Sequence, residues 1–155
     1  MTPTTEQIGY LLSNIADLEI IGDFTVNEPV AITPSPDDIR EIAEKVVVKN
    51  QCYQNVSEII ALTKRDVKFV TGVITGGLLP ICHAWLKIGD EYHDPTFEVM
   101  SQRVNCTPPE YIYHPTAELD LADLIIVTLA NKFRPPHPAA VADMFPELLL
   151  INKVA

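Results

Sequence analysis

Residues 82–96, Cys82-His83-Ala84-Trp85-Leu86-Lys87-Ile88-Gly89-Asp90-Glu91-Tyr92-His93-Asp94-Pro95-Thr96, constrain the fold of this chain more than any other stretch. Cys82 to Ile88 is mostly apolar, and Gly89-Asp90 is a two-residue turn signal with Gly where a type II′ turn needs it. A two-residue loop pairs Ile88 with Glu91, Lys87 with Tyr92, Leu86 with His93, Trp85 with Asp94, and His83 with Thr96. Directly paired residues share a face, and faces alternate along each strand. His83, Trp85, Tyr92, Asp94 and Thr96 then point one way, and Cys82, Ala84, Leu86, Ile88 and His93 the other. His83 and Asp94 become diagonal neighbours, within reach of an imidazole–carboxylate hydrogen bond. Pro95 is expected to hold Asp94 extended.

Upstream, the spacing of Val56, Ile59 and Ile60 predicts a helix from about residue 50 to 62, with one buried face and Asn50 as its N-cap. Cys52 falls in its first turn, where free backbone N–H groups and the helix dipole stabilise negative charge. Residues 66–77 alternate as a strand and end in glycines. Gly72, Gly76 and Gly77 lack the Walker spacing, so a bend or loop is expected of them rather than a phosphate cradle. Cysteine, histidine and aspartate in that order are the parts of a thiol nucleophile, its base and the group that orients the base. An oxyanion would fall to the backbone N–H of Cys52, with the Gln51 or Asn50 side chain as a second candidate donor. Polar residues before a helix also serve simply as caps. Trp85 is expected to pack as a cleft wall that shields the thiol and imidazole from water, without a catalytic role.

A cysteine opening a helix, a V-x-G strand, then His83-Ala84-Trp85 and Asp94-Pro95-Thr96 in quick succession resembles the core of the transglutaminase-like superfamily, within the papain-like class of thiol enzymes. The resemblance covers about residues 50–97. It implies Cys52 as nucleophile, His83 as general base and acid, Asp94 as orienting carboxylate, and a helix packed on an antiparallel sheet. It also implies action on a peptide or protein amide. Residues 1–49 and 98–155 match nothing in that pattern.

Two other readings stand beside this one. The three polar residues could be structural in a non-catalytic binding protein of the same fold. A metal site could draw on Cys52, Cys82, His83, His93, Asp94, Cys106, His114 and His137, but no C-x-x-C or H-x-x-x-H pair is present, so no metal and no cofactor is expected. The formal net charge of −10 over 155 residues argues against general binding to nucleic acid or anionic membrane. No apolar run is long enough to span a bilayer, and residues 1–6 lack a signal-peptide pattern. Three cysteines without framework spacing fit free thiols in a reducing, cytoplasmic compartment.

The whole is expected to be one α+β domain, 47% hydrophobic, with flanking helices around a papain-like core. Thr5 to about Leu18 carries an apolar stripe. Asp23 to Thr33 reads as extended, with Pro29 confining it to an edge or loop. Ser35-Pro36-Asp37-Asp38 starts a helix that runs to about Val48. Residues 98–116 read as irregular around Thr107-Pro108-Pro109, with Tyr111, Tyr113 and His114 on a loop or a cleft rim. A strongly apolar helix is expected from Thr116 or Ala117 to about Lys132, buried or shared with a partner. Residues 139–145 read as a short helix, and the tail 148–151 as a packed element or oligomer contact. Homo-oligomer contacts are therefore expected through 117–132 or 148–151.

Overall fold

The structure, a computed structural model, describes residues 24–26, 28–77, 81–107, 110–136, 140, 141, 144 and 151–153. The expected helix over Thr5–Leu18 lies outside them, as do His137 and most of 139–150. The elements in chain order are β1 (Phe24–Val26), α1 (Asp37–Val46), α2 (Cys52–Leu62), β2 (Lys68–Thr75) and β3 (Ile81–Ile88). There follow β4 (Glu91–His93), α3 (Pro95–Arg103), β5 (Ile112–Leu119), α4 (Leu121–Ala130) and β6 (Ile151–Lys153). This is an α+β chain: an antiparallel sheet in the order β4-β3-β2-β5, and a separate β1–β6 pair. Among the described residues no helix is long and apolar enough to cross a membrane.

The hairpin follows the register expected from its turn: Leu86 opposes His93, Lys87 opposes Tyr92 and Ile88 opposes Glu91. Gly89 takes φ 58°, the left-handed value that a type II′ turn needs at its first central position. One face of the sheet, with Phe69, Ala84, Leu86, Ala117 and Leu119, packs with Ile39, Val56, Ile59 and Val127 of the helices into the main core. On the other face Val70, Ile74, Trp85 and Tyr113 form a second cluster, covered by Val30, Ile32, Tyr92, Phe97 and Tyr111. Trp85 and Ala84, neighbours in sequence, therefore lie in different cores, as alternation requires.

Three expectations fail here. Pairing stops at His93: Asp94 is the N-cap of α3, not a strand residue opposite Trp85, and Thr96 lies within that helix rather than opposite His83. Asp94 Oδ1 accepts from Phe97 N (3.2 Å) and Pro95 occupies the first helical position, so the Asp-Pro pair opens a helix through residues read as irregular. Second, residues 112–119 form β5, where an irregular segment and a helix start were expected. Pro115 is tolerated because β5 is an edge strand and its partner Gly72 sits beside a register irregularity. Helix α4 starts only at Leu121, capped by Asp120, whose side chain accepts from Asp123 N (2.8 Å). Its Leu124 and Val127 are buried, while Leu121, Ile125, Ile126 and Leu129 are at least half exposed, so only one stripe packs on this chain. Third, Gly72 is no bend. It lies mid-strand, paired on both sides, and the chain turns only at Gly76 (φ 105°) and Gly77.

Smaller boundaries also shift. Helix α1 begins at Asp37, not Pro36, where Ser35 donates its N–H (2.8 Å) and hydroxyl (3.0 Å) to Glu98 instead of capping, and it ends at Val46. The Asp23–Thr33 stretch makes β1 and two isolated bridges, Val30 to Tyr113 and Ile32 to Tyr92.

Candidate active site

Along β3, strand β4 reaches only Leu86–Ile88, so the His83 half of β3 has no described strand on that side. The start of α3 fills the space: Phe97 stacks on the His83 ring, with centroids 4.4 Å apart and planes 11° from parallel. The Asp94 cap at the same helix start brings its Oδ2 to 2.8 Å from His83 Nε2. Both side chains are almost fully buried. An ionised carboxylate cannot donate, so Nε2 carries the proton of this bond.

The other ring nitrogen is thereby left to the thiol. Cys52, the first residue of α2, borders the same cavity as His83, and its side chain lies near enough to favour charge on the imidazole. Burial opposes charge on His83, but the Asp94 carboxylate outweighs it by proximity and by hydrogen bond, and Cys52 acts in the same sense. The imidazole pKa is pushed up from 6.5 to about 10. The three side chains singled out in the sequence thus converge, although Asp94 arrives from a helix cap rather than a strand.

Neither Tyr113 nor Phe97 was singled out for this cluster. Tyr113 was expected on a loop or cleft rim. On β5 it is buried, and its phenol donates to Asp94 Oδ2 at 2.6 Å. Burial, and then the adjacent carboxylate, push that phenol far above its ordinary pKa, so it remains a donor. Asp94 therefore accepts from His83, Tyr113 and Phe97 N, which fixes its orientation. Its three partners come from β3, β5 and α3.

Trp85 is fully buried behind this group. It meets Tyr113 edge-on at 5.1 Å and lies 6.2 Å from the His83 ring. It is a back wall, absent from the described lining of the cavity at Cys52. Its room is made by Gly72: a Cβ there would lie 2.4 Å from Trp85 Cη2 and 2.3 Å from the His114 carbonyl oxygen. That is the physical content of the V-x-G strand pattern.

The cap expected of Asn50 does not form. Gln51 holds the N-cap position without a side-chain bond, and Asn50 adopts φ 62°. The loop is held instead by Asn55, which is buried. Its side chain accepts from Val48 N and donates to Val48 O, each at 2.9 Å. This pair anchors the segment that leads into Cys52 and its backbone N–H. Asn50 borders the cavity, whereas Gln51 is exposed and is not part of its described lining.

Cys52 and His83 open onto a cavity of about 490 Å³, bordered also by Lys49, Tyr53, Ile81, Thr96 and Met100. Cys82 touches the same cavity and Cys106 is exposed elsewhere; none of the three cysteines is in a disulfide. His93 turns away and bonds the Thr33 carbonyl oxygen at 3.0 Å. Among the described residues no group of three or more His, Cys, Asp or Glu is arranged to hold a metal ion. A scan against protein-family models and searches of curated proteins and of solved structures found no match to this chain.

Proposed function

We propose that this protein is a cysteine-dependent acyl-transfer enzyme of the transglutaminase-like, papain-like kind, acting on a peptide or protein amide. The observation that carries the reading is the buried His83–Asp94 pair with Cys52 beside the same imidazole at the edge of a cavity. With the thiol proton already held on His83, the Cys52 sulfur attacks the carbonyl carbon. The carbonyl π electrons move to oxygen, where the Cys52 backbone N–H at the start of α2 is the nearest donor we assign. As the C–N bond breaks, His83 returns its proton to the leaving amine and a thioester remains. Water, or a second amine, then attacks the thioester with His83 again as base, and Cys52 is regenerated. Water makes the enzyme a protease, amidase or deamidase, and an amine makes it a transferase.

The test is to incubate the protein with p-nitrophenyl acetate and follow nitrophenol release and acetyl attachment by mass spectrometry. We expect an acetyl group on the Cys52 peptide and release slowed to the uncatalysed rate in Cys52→Ala. Equal release by wild type and Cys52→Ala contradicts the proposal and favours a binding protein.

A further inference from the structure

We infer that the Cys52 cavity takes the acyl half of a peptide-like amide with a bulky apolar side chain, and turns away a positively charged one. This rests on the thiol-enzyme reading above. The cavity, at about 490 Å³, has room for an aromatic side chain and its flanking amide. Its walls are Tyr53, Ile81, Phe97 and Met100, side chains that gain from covering an apolar group.

Two polar features shape the choice further. Thr96 borders the cavity and is buried, yet its hydroxyl has no hydrogen-bond partner. Buried hydroxyls are normally satisfied, and a substrate amide seated beside α3 is the partner we assign to it. The second feature is charge. On a chain of net charge −10, Lys49 and His83 are the formally basic side chains among the described lining residues, and no carboxylate stands among them. A cationic substrate side chain therefore meets like charge at the rim, at Lys49, with no lining carboxylate among the described residues to receive it. The acidity of the whole chain would suggest a basic substrate; the cavity itself opposes one.

Two affinity reagents test this: N-acetyl-phenylalanyl and N-acetyl-lysyl chloromethyl ketone. In each the Cys52 sulfur forms a bond to the methylene carbon as chloride leaves. Iodoacetamide reports the thiol itself. We expect the phenylalanyl reagent to label Cys52 about 10-fold faster than the lysyl one. In Lys49→Glu that preference falls roughly 3- to 10-fold, because a rim charge is screened by water. In Thr96→Val the phenylalanyl reagent slows roughly 5- to 10-fold relative to iodoacetamide on the same variant. A lysyl reagent as fast as the phenylalanyl one, or a preference unchanged by both substitutions, overturns the inference. Failure of iodoacetamide to favour Cys52 over Cys82 and Cys106 would instead overturn the thiol-enzyme reading, and the inference with it.

Discussion

Asp94→Asn lowers acyl transfer by about 10²- to 10⁴-fold and moves the alkaline edge of the remaining activity to lower pH. Two causes combine. An amide can present its NH₂ to His83 Nε2 as readily as its oxygen, so the ring nitrogen facing Cys52 loses its fixed protonation. The charge that opposes desolvation of the imidazolium also disappears. The sign follows from the shift at His83. With Asp94 present the imidazole pKa stands at about 10, so the imidazolium persists through neutral pH and its alkaline edge lies near that value. Without the carboxylate, burial acts unopposed and the edge falls. Stability moves with it. A raised histidine pKa stabilises the fold fully below its unfolded value of about 6.5. That contribution fades as pH rises toward about 10. The wild type's melting advantage over Asp94→Asn from this source should therefore narrow across that interval, which thermal melts at stepped pH will check. A pH–rate profile of the variant that overlays the wild type would contradict the assigned role of Asp94.

Gly72→Ala is expected to destabilise the fold by about 3 kcal/mol, the upper end of overpacking costs, which is roughly 6–12 °C in melting temperature for a chain of this size. The new methyl would meet the His114 carbonyl oxygen at 2.3 Å and Trp85 Cη2 at 2.4 Å, and the backbone of a paired strand has little room to give. Trp85 is the only tryptophan and is fully buried, so its emission reports the damage directly. We expect a red shift and weaker activity, since Trp85 backs Tyr113 and through it Asp94. A melting temperature within a degree or two of wild type would show that β5 yields easily and that Gly72 is not required.

The hairpin turn, the two faces of β3 and the helix that begins near Cys52 were all legible in the sequence. Each depends on local patterning: a Gly-Asp turn, a period of two, and Val56-Ile59-Ile60 spacing. Asp94 was legible as a partner for His83, but by the wrong route. Asp94-Pro95 is a helix start, the same acid-or-hydroxyl-plus-proline signal recognised at Ser35-Pro36; taken as a strand continuation, it hid α3 and with it the Phe97 lid on the imidazole. Conversely, Ser35 is drawn off by Glu98, a partner 63 residues away that no local pattern announces. Tyr113 reads in the sequence as an aromatic on a loop or cleft rim, yet its bond to Asp94 depends on β5 adding to β2, and Pro115 disguises that strand. The apolar residues after 120 formed one strong helical signal that spread backwards over β5. The Asn55 amide pair was invisible for the opposite reason: an asparagine within a helix gives no sign that it reaches back to Val48.

Site-resolved iodoacetamide labelling at neutral pH, read by mass spectrometry on the wild type and on His83→Ala, tests the central claim most directly. The assembled pair predicts that Cys52 labels much faster than Cys82 and Cys106, and that removing His83 slows Cys52 by about 10-fold or more while leaving the other two unchanged. Slow labelling of all three cysteines, or a Cys52 rate indifferent to His83, would contradict it.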